Sequence, residues 1–294
     1  MTSGKDSGTM RRVMVTHPDT FKGVQQLVGE EAFVRLSSAS VCVVGLGGVG
    51  SWAVEALARS GIGALTLVDL DEVCVTNINR QVQATSSTVG KPKADVLAER
   101  VREIHPSCKV SVVRSFFSQK TASGILAPGF SLVIDTIDRV ENKALLLAEC
   151  AKRDLPVITA GAAGDRLHPS GVQVADLART VHDPMLQIVR KELRQRHGFP
   201  GGERARFQMP CVYVPKQRNE PKPVCEGSST RRSCNDGLGS AVFVTGAVGF
   251  AIAAEAVRIL TTDLAAPLYP WKAKRMPLSG AASQRAPGSC AQPA

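Results

Sequence analysis

The stretch Gly45-Leu-Gly47-Gly48-Val-Gly50 constrains this chain more than any other. It follows the β-branched run Ser40-Val-Cys-Val-Val44 and precedes Trp52 to Arg59, whose composition suits a helix. In that setting each glycine has a physical task. The first makes a tight turn, the second lets backbone approach a phosphate, and the last lets helix meet strand closely. Asp69 stands 19 residues past Gly50, at the end of Ala64-Leu-Thr-Leu-Val68, where a carboxylate can bond ribose hydroxyls. On these features the chain reads as a dinucleotide-binding fold, with a glycine-rich turn that binds nothing as the alternative.

Short apolar runs alternate with helical patterns beyond this point. Pro92 to Ile104 carries Val96, Leu97, Val101 and Ile104 at helical spacing, and Val110 to Val113, Ser131 to Ile134 and Pro156 to Thr159 read as strands. Val140 to Arg153 reads as a helix between the last two, Gly171 to Leu177 as an added strand, and Pro184 to Arg196 as a basic amphipathic helix. The spacing predicts an α/β, Rossmann-like doubly wound and mostly parallel sheet, with helices on both faces and an added C-terminal strand and helix region. Residues 198–237, rich in Gly, Pro and Arg, read as a basic loop, and 240–260 as the final helix. The expected organisation is a flexible N-terminus over 1–19, one ATP-binding domain over 20–264 and a disordered tail over 265–294.

Residues past the glycine loop argue against hydride transfer. Asp69-Leu-Asp71 leads to Asn77-Ile-Asn79-Arg80, then to Lys91-Pro-Lys93 and Asp135-Thr-Ile-Asp138. A dehydrogenase has no need of these charges beside its ribose site. A site that cleaves ATP needs cations to neutralise the α-phosphate and the leaving pyrophosphate, and a carboxylate to hold Mg²⁺.

GLGGVGS, VDLDEV, NINRQ and VGKPK together resemble the ubiquitin-activating-enzyme-like superfamily (HesA/MoeB/ThiF), over about residues 20–260. Members adenylate carboxylates. Within it, residues 47–81 and the later GAAGDRLHPSGVQVADLARTVHDP look like the tRNA threonylcarbamoyladenosine dehydratases. The resemblance implies ATP and Mg²⁺ as cofactors and closure of the threonyl side chain of that nucleoside through an acyl-adenylate. It implies that Gly45, Gly47, Gly48, Gly50, Ser51, Asp69 and Asp71 hold the nucleotide and that Asn77 and Arg80 contact the triphosphate. Lys93 would stabilise the leaving pyrophosphate and Asp138 would hold the metal, so Arg80, Lys93 and Asp138 carry the chemistry. It also implies a homodimer and a sulfur-relay protein partner. Superfamily members usually place an arginine ahead of the first strand, reaching the partner subunit's ATP. The matching stretch here, Asp19 to Gly23, has none, leaving Lys22, or Arg11 and Arg12, as the available cations.

Composition decides among the remaining classes. Hydrophobic residues at 44% and charged ones at 21% exclude a disordered or fibrous chain. Of the net charge of +10, residues 190–232 supply 11 basic against 4 acidic residues, while 40–189 balance. A neutral body with one basic segment suits tRNA, whose binding is dominated by phosphate contacts; a merely solvated loop is the alternative. The eight cysteines form no CxxC pair, which counts against a zinc-bearing activator of a ubiquitin-like or sulfur-carrier protein. That adenylyltransferase remains the runner-up, with Cys211, Cys225 and Cys234 in the region for a thioester and Arg231 and Arg232 favouring a thiolate at Cys234. An inactive docking protein is the third alternative, disfavoured by Arg80, Lys93 and Asp138. His105, His168 and His182 each stand at or near a proline and read as turn or surface residues.

The N-terminus has no apolar core for a signal peptide, so the expected compartment is the cytoplasm, with a mitochondrial one left open. Leu238 to Ala254 is 17 uncharged residues, short of the about 20 a membrane helix needs. Its three glycines and the following Glu255 and Arg258 favour a buried helix over a membrane one.

Overall fold

Strand β1 (Ser40–Val44) is apolar on both faces, and such a strand is stable only at the middle of a covered sheet. It lies there, in register and parallel with β2 (Ala64–Val68) on one side and β4 (Leu132–Asp135) on the other. β3 (Lys109–Val113) extends the sheet beyond β2, and β5 (Val157–Ala160) beyond β4. Two further strands, β6 (Gln173–Asp176) and β7 (Pro210–Tyr213), complete seven among the described residues, in the order β3-β2-β1-β4-β5-β7-β6. Among the described residues only β6 runs antiparallel. The computed structural model describes residue 17, residues 19–216 and residues 239–262.

The helices, in chain order, are α1 (Lys22–Val28), α2 (Glu30–Ser38), α3 (Gly50–Arg59), α4 (Lys93–Ile104) and the single turn α5 (Ala122–Ile125). They continue as α6 (Val140–Lys152), α7 (Pro184–His197) and α8 (Val242–Thr261). Alternate strand residues feed two cores. Val41, Val43, Leu65, Leu67 and Ile134 pack with α2, α3, α4 and α8 on one face. Cys42, Val44, Val68, Val133 and Val157 pack with α5, α6 and α7 on the other. Complete burial of a Leu or Ile here is worth about 1.5–3 kcal/mol each.

Helix α7 shows how local sequence sets an element. Asp183 caps it, accepting the Leu186 N–H at 3.0 Å, Pro184 opens it, and Gly198 at φ +71° closes it after Arg194, Arg196 and His197 in the last turn. Helix α8 is long and apolar enough to cross a membrane, yet half of its most apolar window is buried within this fold. It lies along α3, where a side chain at Gly249 would meet the Val49 carbonyl and the Trp52 Cβ at 2.7 Å.

The basic loop expected over 198–237 needs correction in its first half. Pro210–Tyr213 is a fully buried strand, wedged between β5 and β6. Four residues opening on a proline, amid Gly and Arg, carry too little periodicity to stand out; pairing on both edges makes the strand. The cations preceding it are partly tied to the fold. Arg190 donates to the Thr180 hydroxyl, Arg194 lies over the Phe207 ring, and Arg196 pairs with Glu192 at 2.9 Å. His105, expected in a turn or at the surface, is buried at the end of α4 against the Phe21 ring. Burial lowers its pKa from the usual imidazole range. Arg11, Arg12, Cys225, Arg231, Arg232, Cys234 and the tail from 265 lie outside the described residues.

Candidate functional site

A doubly wound sheet opens a crevice where its strand order reverses, outside the carboxyl ends of the strands there. Here that point is between β1 and β4. The glycine loop leaves β1 at this point, Asp69 follows β2, and Asp138 stands three residues past the end of β4.

The loop's geometry assigns its glycines. Gly45 sits at φ +91°, in the left-handed region. A Cβ at Gly50 would collide with the Gly45 carbonyl and the Thr136 hydroxyl, so the first turn of α3 can start there only without a side chain. Gly47 faces open space, and that is the position where a phosphate must approach backbone. Ser51 is completely buried, and its hydroxyl has no hydrogen-bond partner among the described residues. An unpaired hydroxyl on the first turn of a helix, beside an open glycine, suits an anionic ligand.

Asp69 accepts from Leu46 N–H at 2.6 Å through one oxygen and from Asp71 N–H at 2.8 Å through the other. It therefore ties the glycine loop to the end of β2 as well as lining the crevice. Burial raises its pKa above the ordinary carboxylate value, against the opposing pull of those two bonds and of Lys93. Asp71 is half exposed and holds the buried Lys93 ammonium at 2.9 Å. Asn77 is buried, and its side-chain oxygen accepts from Cys74 N–H at 3.1 Å. Asn77 thereby fixes the turn from which Arg80 emerges.

Arg80 lies across Gly48, its Cδ 3.4 Å from where a Cβ would be. Its guanidinium donates to Thr76 O at 2.7 Å and to the Asn79 side chain at 2.9 Å. Its carbonyl accepts from the Trp52 indole at 3.0 Å, which fixes the backbone beneath it. Asp138 is exposed and has no hydrogen bond or ion pair among the described residues. No group of three or more His, Cys, Asp or Glu gathers among the described residues. One carboxylate is nonetheless a usual protein share for Mg²⁺, which takes its other ligands from phosphates and water. Lys22 opens α1 and is exposed.

Several parts of the site carry no motif. The Gln83 amide, buried, donates to Leu46 O at 2.8 Å and supports the glycine loop from below. The Thr136 hydroxyl donates to Gly45 O at 2.5 Å, locking the loop to the end of β4. Below Thr136 lies a completely buried ion pair, Lys143 with Asp135 at 2.9 Å. Lys143 could have been noticed as a charge on the same helical face as Leu147 and Cys150. Cys211 is fully buried on β7, and burial pushes its thiol far above the ordinary range, which removes it as a thioester nucleophile.

A parallel sheet with a glycine loop, a paired lysine and a free carboxylate around its switch point defines a nucleotide-binding α/β protein. Residues 22–279 match the ThiF family, and the chain belongs to it. It is 44% identical over 232 residues, 78% of this chain and 88% of the relative, to a tRNA threonylcarbamoyladenosine dehydratase of Haemophilus influenzae. It is also similar to solved structures of the Escherichia coli tRNA N6-threonylcarbamoyladenosine dehydratase TcdA. The AMP complex is 39% identical, with a TM-score of 0.75, covering 84% of this chain and 97% of that one. The ATP complex has a TM-score of 0.74 at the same identity and coverage.

Proposed function

We propose that this protein dehydrates N6-threonylcarbamoyladenosine next to the anticodon of tRNA, using ATP to activate the threonyl carboxylate. A carboxylate is a poor electrophile because its resonance opposes attack at carbon, and an adenylate supplies a good leaving group. The carboxylate oxygen attacks the α-phosphorus, the bond to the β-phosphate oxygen breaks, and pyrophosphate leaves with the electron pair. The neighbouring nitrogen of the substrate then attacks the acyl carbon. The bond to AMP breaks, AMP leaves, and the proton on nitrogen passes to solvent. ATP becomes AMP and pyrophosphate, and the nucleoside loses one water.

In this reading the backbone from Gly45 to Gly50 and the Ser51 hydroxyl receive the phosphates, and Asp69 bonds the ribose. Arg80 contacts the triphosphate from its place over Gly48. Lys93 turns from Asp71 towards the departing pyrophosphate, with the carboxylate of Asp71 holding it in readiness. Asp138 holds Mg²⁺, which when bound neutralises charge on the phosphates. Fixed cations and N–H groups of this kind stabilise developing charge without reorganising. The protein acts as a homodimer in which α8 contributes to the contact; its Phe243 and Phe250, each 50% exposed, support that reading.

The single observation that carries the proposal is the glycine loop at the switch point, with Asp69 bonded to Leu46 and Arg80 lying over Gly48, in a chain similar to dehydratases over most of its length. The test is nucleoside mass spectrometry after incubation with Mg-ATP and tRNA carrying the modified nucleoside. A dehydrated nucleoside that appears only with ATP, and not with Asp138→Ala, is the expected result. Unchanged tRNA, with labelled pyrophosphate entering ATP in the presence of a carrier protein's C-terminus, would replace this reading with the adenylyltransferase one.

A further inference from the structure

The Asp135–Lys143 pair has no exposure on either side chain. Burying two charges costs several kcal/mol per ion before their attraction is counted, and apolar residues of like size in that place are often neutral or stabilising. The pair's geometry gives it another use. Asp135 accepts the Ile137 N–H at 3.0 Å, and Lys143 donates to the Ile137 carbonyl at 3.0 Å. Both backbone groups of one residue are therefore held by the two members of the pair. The Thr159 hydroxyl, from β5, donates to Asp135 at 2.7 Å and completes the set.

Ile137 separates Thr136 from Asp138. Thr136 before it locks the Gly45 carbonyl, and Asp138 after it carries the unpaired carboxylate. A turn fixed at Ile137 fixes both. Without the pair the segment between β4 and α6 would keep the bonds of Thr136 to Val44 and Gly45 and, beyond Asp138, the backbone bond from the Lys143 N–H to the Arg139 carbonyl at 2.9 Å. None of those is made by Ile137 or by Asp138 itself.

We propose that Lys143 and Asp135 are positioning residues for adenylation: by gripping Ile137 through its N–H and its carbonyl, they set where the Asp138 carboxylate stands relative to the glycine loop. The assignment rests on the reading of Asp138 as the Mg²⁺ ligand. A misplacement of about 1 Å in such a group can cost roughly 100-fold in rate, so a buried pair that adds little stability can still decide turnover.

The test uses the full chain and three variants. Asp135→Leu with Lys143→Met replaces the pair by apolar residues, Lys143→Met alone leaves Asp135 unpaired, and Thr159→Val removes one hydroxyl at nearly constant shape. Two quantities are read: thermal stability, and the affinity for ATP as a function of Mg²⁺ concentration by titration calorimetry. The double variant is expected to melt at or above the wild-type temperature. Its Mg²⁺-dependent gain in ATP affinity should fall about 10-fold or more, and its turnover on tRNA by roughly 10- to 100-fold. ATP affinity without Mg²⁺ should be unchanged. Thr159→Val should show the same direction at about 3-fold, and it keeps the test open should the other two fail to fold, because it leaves both charges in place. Folded variants with the wild-type Mg²⁺ dependence would overturn the proposal. Wild-type protein that binds Mg-ATP but leaves tRNA unchanged would overturn the dehydratase reading alone, whereas wild-type protein whose ATP affinity ignores Mg²⁺ would overturn the positioning proposal and the metal-ligand assignment of Asp138, leaving the dehydratase reading in place.

Discussion

The two halves of the sheet are held in shape by different means. On the side of β1, β2 and β3, the backbone itself forms the site: Gly45 turns at φ +91°, Gly47 lies open, and Asp69 fastens the loop by accepting the Leu46 N–H. On the side of β5, β7 and β6, buried carboxylates organise the loops. Asp183 caps α7 and also accepts the Ala162 N–H at 2.9 Å, while Asp176 accepts from Ala178, Phe207 and Gln208. The first half restricts residue type by conformation, the second by hydrogen bonding across long separations. A site that must let a phosphate touch backbone needs the first kind of constraint, and a scaffold that merely presents loops can use the second.

Gly50→Val should break this contrast most severely, because its side chain enters the space of the Gly45 carbonyl and the Thr136 hydroxyl. Overpacking of this kind costs about 1–3 kcal/mol or more, and ATP binding by calorimetry should be lost even where the variant still folds. A Gly50→Val protein with wild-type affinity would remove the glycine loop from the nucleotide site.

The reverse behaviour is expected at Asp183. Asp183→Ala deprives the Leu186 and Ala162 N–H groups of their acceptor, and should cost about 1–3 kcal/mol in urea unfolding. ATP affinity should stay within 2-fold, about 0.4 kcal/mol. A large loss of affinity with little loss of stability would show that the far half shapes the nucleotide site directly.

The smallest effect lies at Glu55 on α3, buried and bonded to Arg100 at 2.6 Å and Arg59 at 2.8 Å. Burial alone would raise its pKa, but the bonds to Arg100 and Arg59 outweigh it and hold the carboxyl below its ordinary value of 4.5. Its contribution to stability is then present above about pH 4.5 and fades as the pH falls through the lowered value. Glu55→Gln should cost about 1 kcal/mol at pH 7, modest because both arginines are partly solvated, and should flatten the acid limb of melting temperature against pH. An unchanged acid limb would mean that the pair contributes nothing to folding.

Much of the nucleotide half was legible because its signals are local. Gly45, Gly47 and Gly50 occupy positions that few other residues tolerate, and the alternation of β-branched runs with helical patterns placed β1 to β5 within a residue or two. Asp69, Arg80, Lys93 and Asp138 were singled out by their order along the chain, and the structure places Asp69 just past β2, Lys93 at the start of α4 and Asp138 past β4. Strand β7 escaped, since Pro210 to Tyr213 is short and sits in a segment that looks like loop. The turn role of Asn77 escaped too, because a side chain that caps its own turn and one that reaches a phosphate have the same spelling.

The sequence by itself determined the first five strands, the helices between them and the chemical character of the crevice, because backbone conformation and hydrophobic period are properties of neighbouring residues. Only the tertiary structure decided how the crevice is held. Gln83 meets Leu46 across 37 residues and Thr159 meets Asp135 across 24, while Lys143 acquires its meaning only when β4 and α6 close around it. A buried polar group is worth its cost only with its partners in place, and those partners are brought together by folding rather than written beside one another.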